Sequence, residues 1–407
     1  MTARSATQAE EDSLLTRLSL LIGQSFFLGL TLALLIVAAI ALLLSTYGAG
    51  ALPYVYIVVA LLGSIAFYGF AEVQRRWTLI QVSVVTELLV AVFLALAGAG
   101  LVFAQAEWLA FAAMVAFSLI IQVGFVILGG QAGRLLDVRQ IKRHFPRIVG
   151  GFVVGFMVGG ALVSPLQRWL GGTESLLLVA AASATVMLVL LLMTNSRFRV
   201  ALSQTGGGGP QLPAPPLRRV VVKRFVLFVF AYQMLSAMAS QLLDFMVLAA
   251  ADARFADSDV LAQFFGNYTF FLNLIDLLFL TLVAGLLLSR FGLRFGLAAN
   301  PGVDILFLVA IVATGVVAGP TSTLFFWLVV LIRVLDITFT DGTTRTSINA
   351  AYQALPGHER VTVQTGVEGI GVPLALGLTG ITLLLFNAIG DVTLVHIAAF
   401  TLAVSLL

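Results

Sequence analysis

Six ionisable residues stand inside long apolar stretches of this 407-residue chain: Glu87, Asp276, Asp304, Arg333, Asp336 and Glu368. Arg333 and Asp336 are three residues apart, so a helix would set them on one face within pairing reach. Two readings of Arg333 stand side by side. It is half of a buried ion pair with Asp304 or Asp336, or it is a cation that receives an anion. Glu87 and Glu368 have no obvious basic neighbour in sequence, and an acid at bilayer depth without a counter-ion suits the carriage of a proton. The competing reading is hydrogen bonding to hydroxyls or backbone between helices. Gln233, Gln241, Asn267 and Asn273 add polar groups nearby. His144 and His358 fall in loops, and the lone His396 reads as a helix-to-helix hydrogen bond. No His and carboxylate trio has metal-ligand spacing, and the absence of Cys removes thiolate chemistry. Gly206 to Gly209 is not a phosphate loop, because no Gly-Lys-Ser/Thr follows it. Nothing here reads as an enzyme, and no cofactor is expected.

Positioning such groups requires a membrane fold. Hydrophobic residues make up 60% of the chain and charged residues 10%, against roughly a quarter charged in soluble domains. That excludes a soluble domain and a disordered chain, and the apolar runs are too continuous for a β-barrel. The expected fold is an all-α polytopic membrane protein with twelve transmembrane helices in two six-helix halves. The first six spans are read at 19–44, 52–73, 79–104, 107–130, 147–170 and 175–194. The second six are read at 224–250, 259–289, 295–318, 321–340, 361–387 and 391–407. Nineteen of the 22 basic residues fall on the side of the N-terminus, Arg168 and Arg254 fall opposite, and Arg333 lies within a span. The positive-inside rule then places both termini in the cytoplasm. Counting about 1.5 Å per residue puts Glu87, Asp304 and Arg333 near the midplane. It puts Asp276 about 21 Å from the cytoplasm, Glu368 in the cytoplasmic half, and Asp244 closer to the outer surface. Asn300-Pro301-Gly302 predicts a kink or break just before Asp304.

The sequence divides into a cytoplasmic segment 1–18, a first half 19–194, a linker 195–223 and a second half 224–407. The linker carries Gly206 to Gly209 followed by Pro210, Pro213, Pro215 and Pro216, a flexible then extended composition. Two parallel six-helix halves around a central cavity are a carrier layout. The fifth and eleventh spans are both Gly-rich, through Gly150, Gly151, Gly155, Gly159 and Gly160 and then Gly366, Gly369, Gly371, Gly377 and Gly380. Such residues let helix backbones approach closely. The apolar run Thr401 to Leu407 has no basic flank, so the natural chain is expected to continue into a cytoplasmic regulatory domain.

The loop Gly285, Ser289, Arg290, Gly292, Arg294, Gly296 resembles the cytoplasmic loop signature of the major facilitator superfamily, with Ser289 in place of the acid. The run Leu136 to Pro146, leading into Gly150, resembles a loop of the ATP/ADP-translocase-type nucleotide transporters and their bacterial relatives. Leu355 to Arg360, leading into Glu368 and Gly369, is similar to the matching second-half loop. The resemblance implies a secondary-active transporter working by alternating access in the bacterial inner membrane. It implies a nucleotide or other organic anion as substrate, an antiport mode and a proton-coupling option. Arg333, Asp304, Asp336, Asn273 and Gln241 are then expected to bind substrate. Glu87, Asp276 and Glu368 would couple or gate, and Asp137, Arg139, Arg143, Arg290, Arg294 and Arg360 would form a cytoplasmic gate. Exchangers of this type rely on embedded lysines, whereas Lys142 and Lys223 here lie in loops. That favours the alternative, a non-transporting sensor or scaffold signalling through the downstream domain. The expected partners are the lipid bilayer and the small-molecule solute, with no nucleic acid, because the basic loops face lipid headgroups.

Overall fold

The computed structural model describes residues 3–203, 223–356, 363–364, 366–390 and 392–407. Every regular element among them is helical. In chain order these are α1 Ala3–Tyr47, α2 Leu52–Arg76, α3 Leu79–Ala104, α4 Trp108–Leu135, α5 Val138–Leu170, α6 Ser175–Arg197 and the short α7 Arg199–Ser203. They continue with α8 Arg224–Asp252, α9 Ser258–Phe279, α10 Gly285–Ala318, α11 Thr323–Phe339, α12 Arg345–Tyr352, α13 Val372–Ile389 and α14 Leu394–Leu406. Ten helical stretches among the described residues are long and apolar enough to cross a membrane, and the protein is an integral membrane protein. One of them, Ser258–Ala318, runs to 61 residues, about three times what a single crossing needs. It is interrupted at Gly292, whose φ of 76° and ψ of −179° lie in a region essentially confined to glycine.

Of the kink or break expected at Asn300-Pro301-Gly302, the break is corrected, because it falls at Gly292. The backbone stays helical through Pro301, and the one non-helical residue within α10 is Gly292. Proline at 301 deprives the Leu297 carbonyl of its intrahelical N–H. The Tyr232 hydroxyl donates to that carbonyl at 2.8 Å, so the freed acceptor is satisfied without unwinding the helix.

Three further segments depart from the α-helical repeat. Leu280–Ala284 joins α9 to α10, Thr340–Thr344 joins α11 to α12, and Val367–Gly371 leads into α13, each with π-helical bonding. The span expected to end at 340 therefore continues as one helical stretch, Thr323–Tyr352. Likewise α5 begins at Val138, nine residues before the expected start of the fifth span. The linker residues 204–222 lie outside the described residues.

The described chain forms two compact units. Residues 1–43, 68–207 and 258–273 belong to the first, and residues 44–67, 208–257 and 274–407 to the second. Within the first unit, α1 is apolar all round and almost wholly buried from Leu28 to Leu44, as expected for a helix enclosed by others. Its contact with α5 depends on missing side chains. A Cβ at Gly155 would collide with the Phe26 carbonyl, and one at Gly29 with the Phe152 carbonyl. Gln24 donates to Thr194 at 2.8 Å and Thr31 to Ser183 at 2.9 Å, tying α1 to α6. Within the second unit, a Cβ at Gly380 of α13 would stand 2.6 Å from the Pro53 carbonyl. Gly151 and Gly155 of the fifth span and Gly380 of the eleventh thus mark sites of close backbone approach, whereas Gly150 faces open space.

Candidate functional site

The densest polar cluster lies in the second unit on α8, α10 and α11. Arg333 and Asp336 sit one turn apart on α11, and Ser240 and Asp244 sit one turn apart on α8. The two faces meet. The Arg333 guanidinium donates through NH1 to Asp336 Oδ2 at 2.6 Å and to Ser240 Oγ at 2.6 Å, and through NH2 to Asp244 Oδ1 at 3.1 Å. Ser240 donates in turn to Asp336 Oδ2 at 2.7 Å. From α10, Asn300 Nδ2 donates to Asp336 Oδ1 at 3.0 Å and to Thr340 Oγ1 at 3.0 Å.

The two arms of this ion-pair network differ in character. Asp336 is 1% exposed and receives three donors, which is how a buried carboxylate is normally accommodated. Asp244 is 32% exposed and Arg333 13%, so this arm is reachable from outside the protein interior. Gln241 Nε2 approaches the other Asp244 oxygen at 3.4 Å. The Tyr56 hydroxyl is buried beside Gln241 and Asp244 without meeting hydrogen-bond geometry. A salt bridge that is tied down at one end and accessible at the other can exchange one carboxylate for another without leaving the arginine uncompensated.

Of the residues expected to bind substrate, the structure brings together Arg333, Asp336 and, through Asp244, Gln241. Asp304 is 3% exposed, and its Oδ1 is buried without a hydrogen-bond partner among the described residues. It lines a cavity instead. Asn273 donates to the Thr269 carbonyl of its own helix at 2.8 Å and belongs to the first unit. Asp244, expected nearer the outer surface, is the partner that the reading of single spans missed. The pairing of Ser240-x-x-x-Asp244 with Arg333-x-x-Asp336 is the pattern that would have exposed it.

Among the coupling residues, Glu87 lies on α3 in the first unit, 4% exposed, with no hydrogen bond or ion pair among the described residues. Asp276 is 6% exposed, and its Oδ1 is likewise without a partner. It precedes the π-helical segment Leu280–Ala284, and Asp341, which pairs with Arg345 at 3.1 Å, stands in the π-helical segment Thr340–Thr344. Gly342 admits Phe279 where a Cβ would meet its ring, so these two irregular segments lie against each other. Such segments occur often at functional sites. The Glu368 side chain lies outside the described residues.

The residues expected to form a cytoplasmic gate have mostly local roles. Asp137 caps α5, accepting from the Gln140 N–H at 2.8 Å while Gln140 reciprocates at 3.2 Å, a capping box. Arg139, Arg143, Arg290 and Arg294 are exposed, and Arg290 lies over the Phe291 ring at 5.7 Å. Arg360 lies outside the described residues. His396 faces its own helix start, with Nδ1 3.1 Å from the Thr393 N–H, rather than bridging two helices.

No family model matches the chain, and no curated protein matches it. Solved structures do. A mutant form of the nucleoside transporter NupG aligns at a TM-score of 0.71 and 15% identity, covering 96% of this chain and 97% of that one. A POT family transporter in complex with 5-aminolevulinic acid gives 0.69 and 13%, covering 96% and 94%. A bacterial homologue of the iron transporter ferroportin, in an inward-facing state, gives 0.65 and 16%, covering 97% and 96%. At these identities the likeness establishes the fold alone, which this chain shares with these solved transporter structures.

Proposed function

We propose that the protein is a secondary-active transporter of the major facilitator type, with two six-helix halves, both termini in the cytoplasm and a small organic solute as cargo. The reading rests on one observation. The Arg333 guanidinium is held from behind by the saturated Asp336 and from the front by the half-exposed Asp244. A solute carboxylate or phosphate that displaces Asp244 gains a charge-assisted bond to NH2, while Asp336 keeps the arginine compensated at every stage. The cargo class is an organic anion. A nucleotide is the narrower form of this reading, and it draws on the resemblance of Leu136 to Pro146 and Leu355 to Arg360 to nucleotide transporters. Likeness to a nucleoside transporter and a POT family transporter supports a carrier over the sensor alternative that the absence of embedded lysines suggests. Glu87 and Asp276, buried and without an ion pair among the described residues, are the groups proposed to carry a coupling proton.

The test is a thermal-shift panel of nucleotides, nucleosides and other organic anions on purified protein. An anion that binds at Arg333 competes with Asp244, so Asp244→Asn should strengthen its effect and Arg333→Gln should abolish it. If Asp244→Asn weakens binding of every anion, the displacement reading is wrong.

A further inference from the structure

Within the second unit, a cavity of about 600 Å³ lies between α8, α10, α12 and α14, within the size range of sites for small organic ligands. Its wall is largely apolar, built from Phe225, Phe228, Val229, Leu235, Leu297 and Ile348. At one end stand Asn300 and Asp304, and near the other stands Arg294. Ten helical residues, about 15 Å, separate Asp304 from Arg294. The end near Arg294 also carries Phe225 and Phe228, 42% and 72% exposed, so the mouth is fringed by apolar side chains suited to the membrane interface.

The polar end presents two unpartnered acceptors, and the Ser236 hydroxyl is also part of the lining. Asp304 Oδ1 and Asn300 Oδ1 are both buried without hydrogen-bond partners among the described residues. The Asn300 amide nitrogen is spent on Asp336 and Thr340, which fixes its oxygen as the free end. The Tyr232 hydroxyl gives its proton to the Leu297 carbonyl. An occupant that satisfies this end must donate at least two hydrogen bonds and is favoured by positive charge. Arg294 disfavours a cationic head at the mouth and so directs it inward, leaving an apolar body along the aromatic and aliphatic wall.

We infer that this cavity binds an amphiphile with a primary or secondary ammonium head at Asp304 and Asn300 and an apolar tail running toward Phe225 and Phe228. It is a second site that adjoins the Arg333 cluster through Asn300 and is opposite in the charge it selects. Its occupant is either a free lipophilic amine or the amino headgroup of a phospholipid.

The experiment measures binding of decylammonium, decyltrimethylammonium, decanol and decyl sulfate to the full chain in phosphatidylcholine nanodiscs. Decylammonium is expected to bind about tenfold or more tightly than decanol, from the charge-assisted bonds it alone can make. The trimethylated analogue, which has no N–H, should bind more weakly than decylammonium. Asp304→Asn should remove the preference for the ammonium while leaving decanol unchanged. Ser236→Phe, which fills the cavity and leaves Asp304 in place, should weaken both, and this variant keeps the test open if Asp304→Asn fails to fold. Repeating the measurement in phosphatidylethanolamine nanodiscs separates the two sources. Weakened decylammonium binding there identifies the lipid headgroup, and unchanged binding identifies a free amine. Equal binding of decanol or decyl sulfate to that of decylammonium would overturn the inference, as would an Asp304→Asn variant that keeps the ammonium preference.

Discussion

The two carboxylates that hold Arg333 should respond to the same substitution in different ways. Asp336→Asn removes the charge from a group that is 1% exposed and accepts from Arg333, Ser240 and Asn300. A carboxamide offers one accepting oxygen to these three donors, and its NH2 then faces a donor. Breaking a buried pair costs about 3–5 kcal/mol. Asp244 remains to compensate the guanidinium, which sets the expected loss near about 3 kcal/mol, the lower end of that range. Asp244→Asn acts on a side chain 32% exposed at 3.1 Å, where solvent screening limits the loss to about 1 kcal/mol or less. Equilibrium unfolding in mixed micelles, followed by fluorescence of the four tryptophans, measures both. A loss from Asp244→Asn as large as that from Asp336→Asn would refute the division into a fixed arm and an exchangeable arm. So would an Asp336→Asn variant of wild-type stability.

Three other outcomes are expected. Tyr232→Phe should cost about 1 kcal/mol by stranding the Leu297 carbonyl, and Pro301→Ala, which restores an N–H to that carbonyl, should erase most of this cost. A double-mutant cycle reads the coupling, and strictly additive losses would show that the hydroxyl does not replace the missing helix bond. Gly155→Ala should cost about 1–3 kcal/mol or more through overpacking against α1, whereas Gly150→Ala, whose Cβ would meet nothing, should be near neutral in the same unfolding assay. Glu87→Gln removes a charge that has no partner among the described residues, so stability should hold or rise while uptake driven by a proton gradient is lost. Destabilisation by this substitution would point to a structural bond instead.

The membrane class and the Arg333 to Asp336 contact were legible in the sequence because composition and a three-residue spacing carry them directly. Asp244 was not, and the reason is arithmetical. Counting from Arg224 treats the whole of a 29-residue helix as lying within the bilayer, although about 20 residues suffice to cross it. Counted from the opposite ends, Asp244 lies eight residues from Asp252 and Arg333 ten from Thr323, about 12 and 15 Å, which are depths within reach of each other. The break near Asp304 was misplaced because Pro301 signals a lost hydrogen bond but not whether another side chain supplies one. Tyr232 is 65 positions from Leu297 in sequence, and only the folded chain brings the two together. The pair of Asp341 and Arg345 was not expected because the tenth span was read to end at 340. In the structure most hydroxyls from Thr338 to Ser347 bond to helix carbonyls, as Thr338 does to Val334 at 2.7 Å and Thr343 to Phe339 at 2.9 Å. The cytoplasmic gate expected at the arginines near α5 and α10 follows from the resemblance of their loops, while Asp137 is spent on a helix cap.

Transport itself is the quantity that matters most. Purified protein reconstituted into liposomes loaded with an organic anion identified by the thermal-shift panel should accumulate the labelled anion by counterflow. Asp244→Asn should retain or raise the affinity of that flux, and Arg333→Gln should abolish it while the protein remains folded. Absence of counterflow with every anion that stabilises the protein would contradict a carrier function, as would flux indifferent to Arg333→Gln for the role given to the arginine.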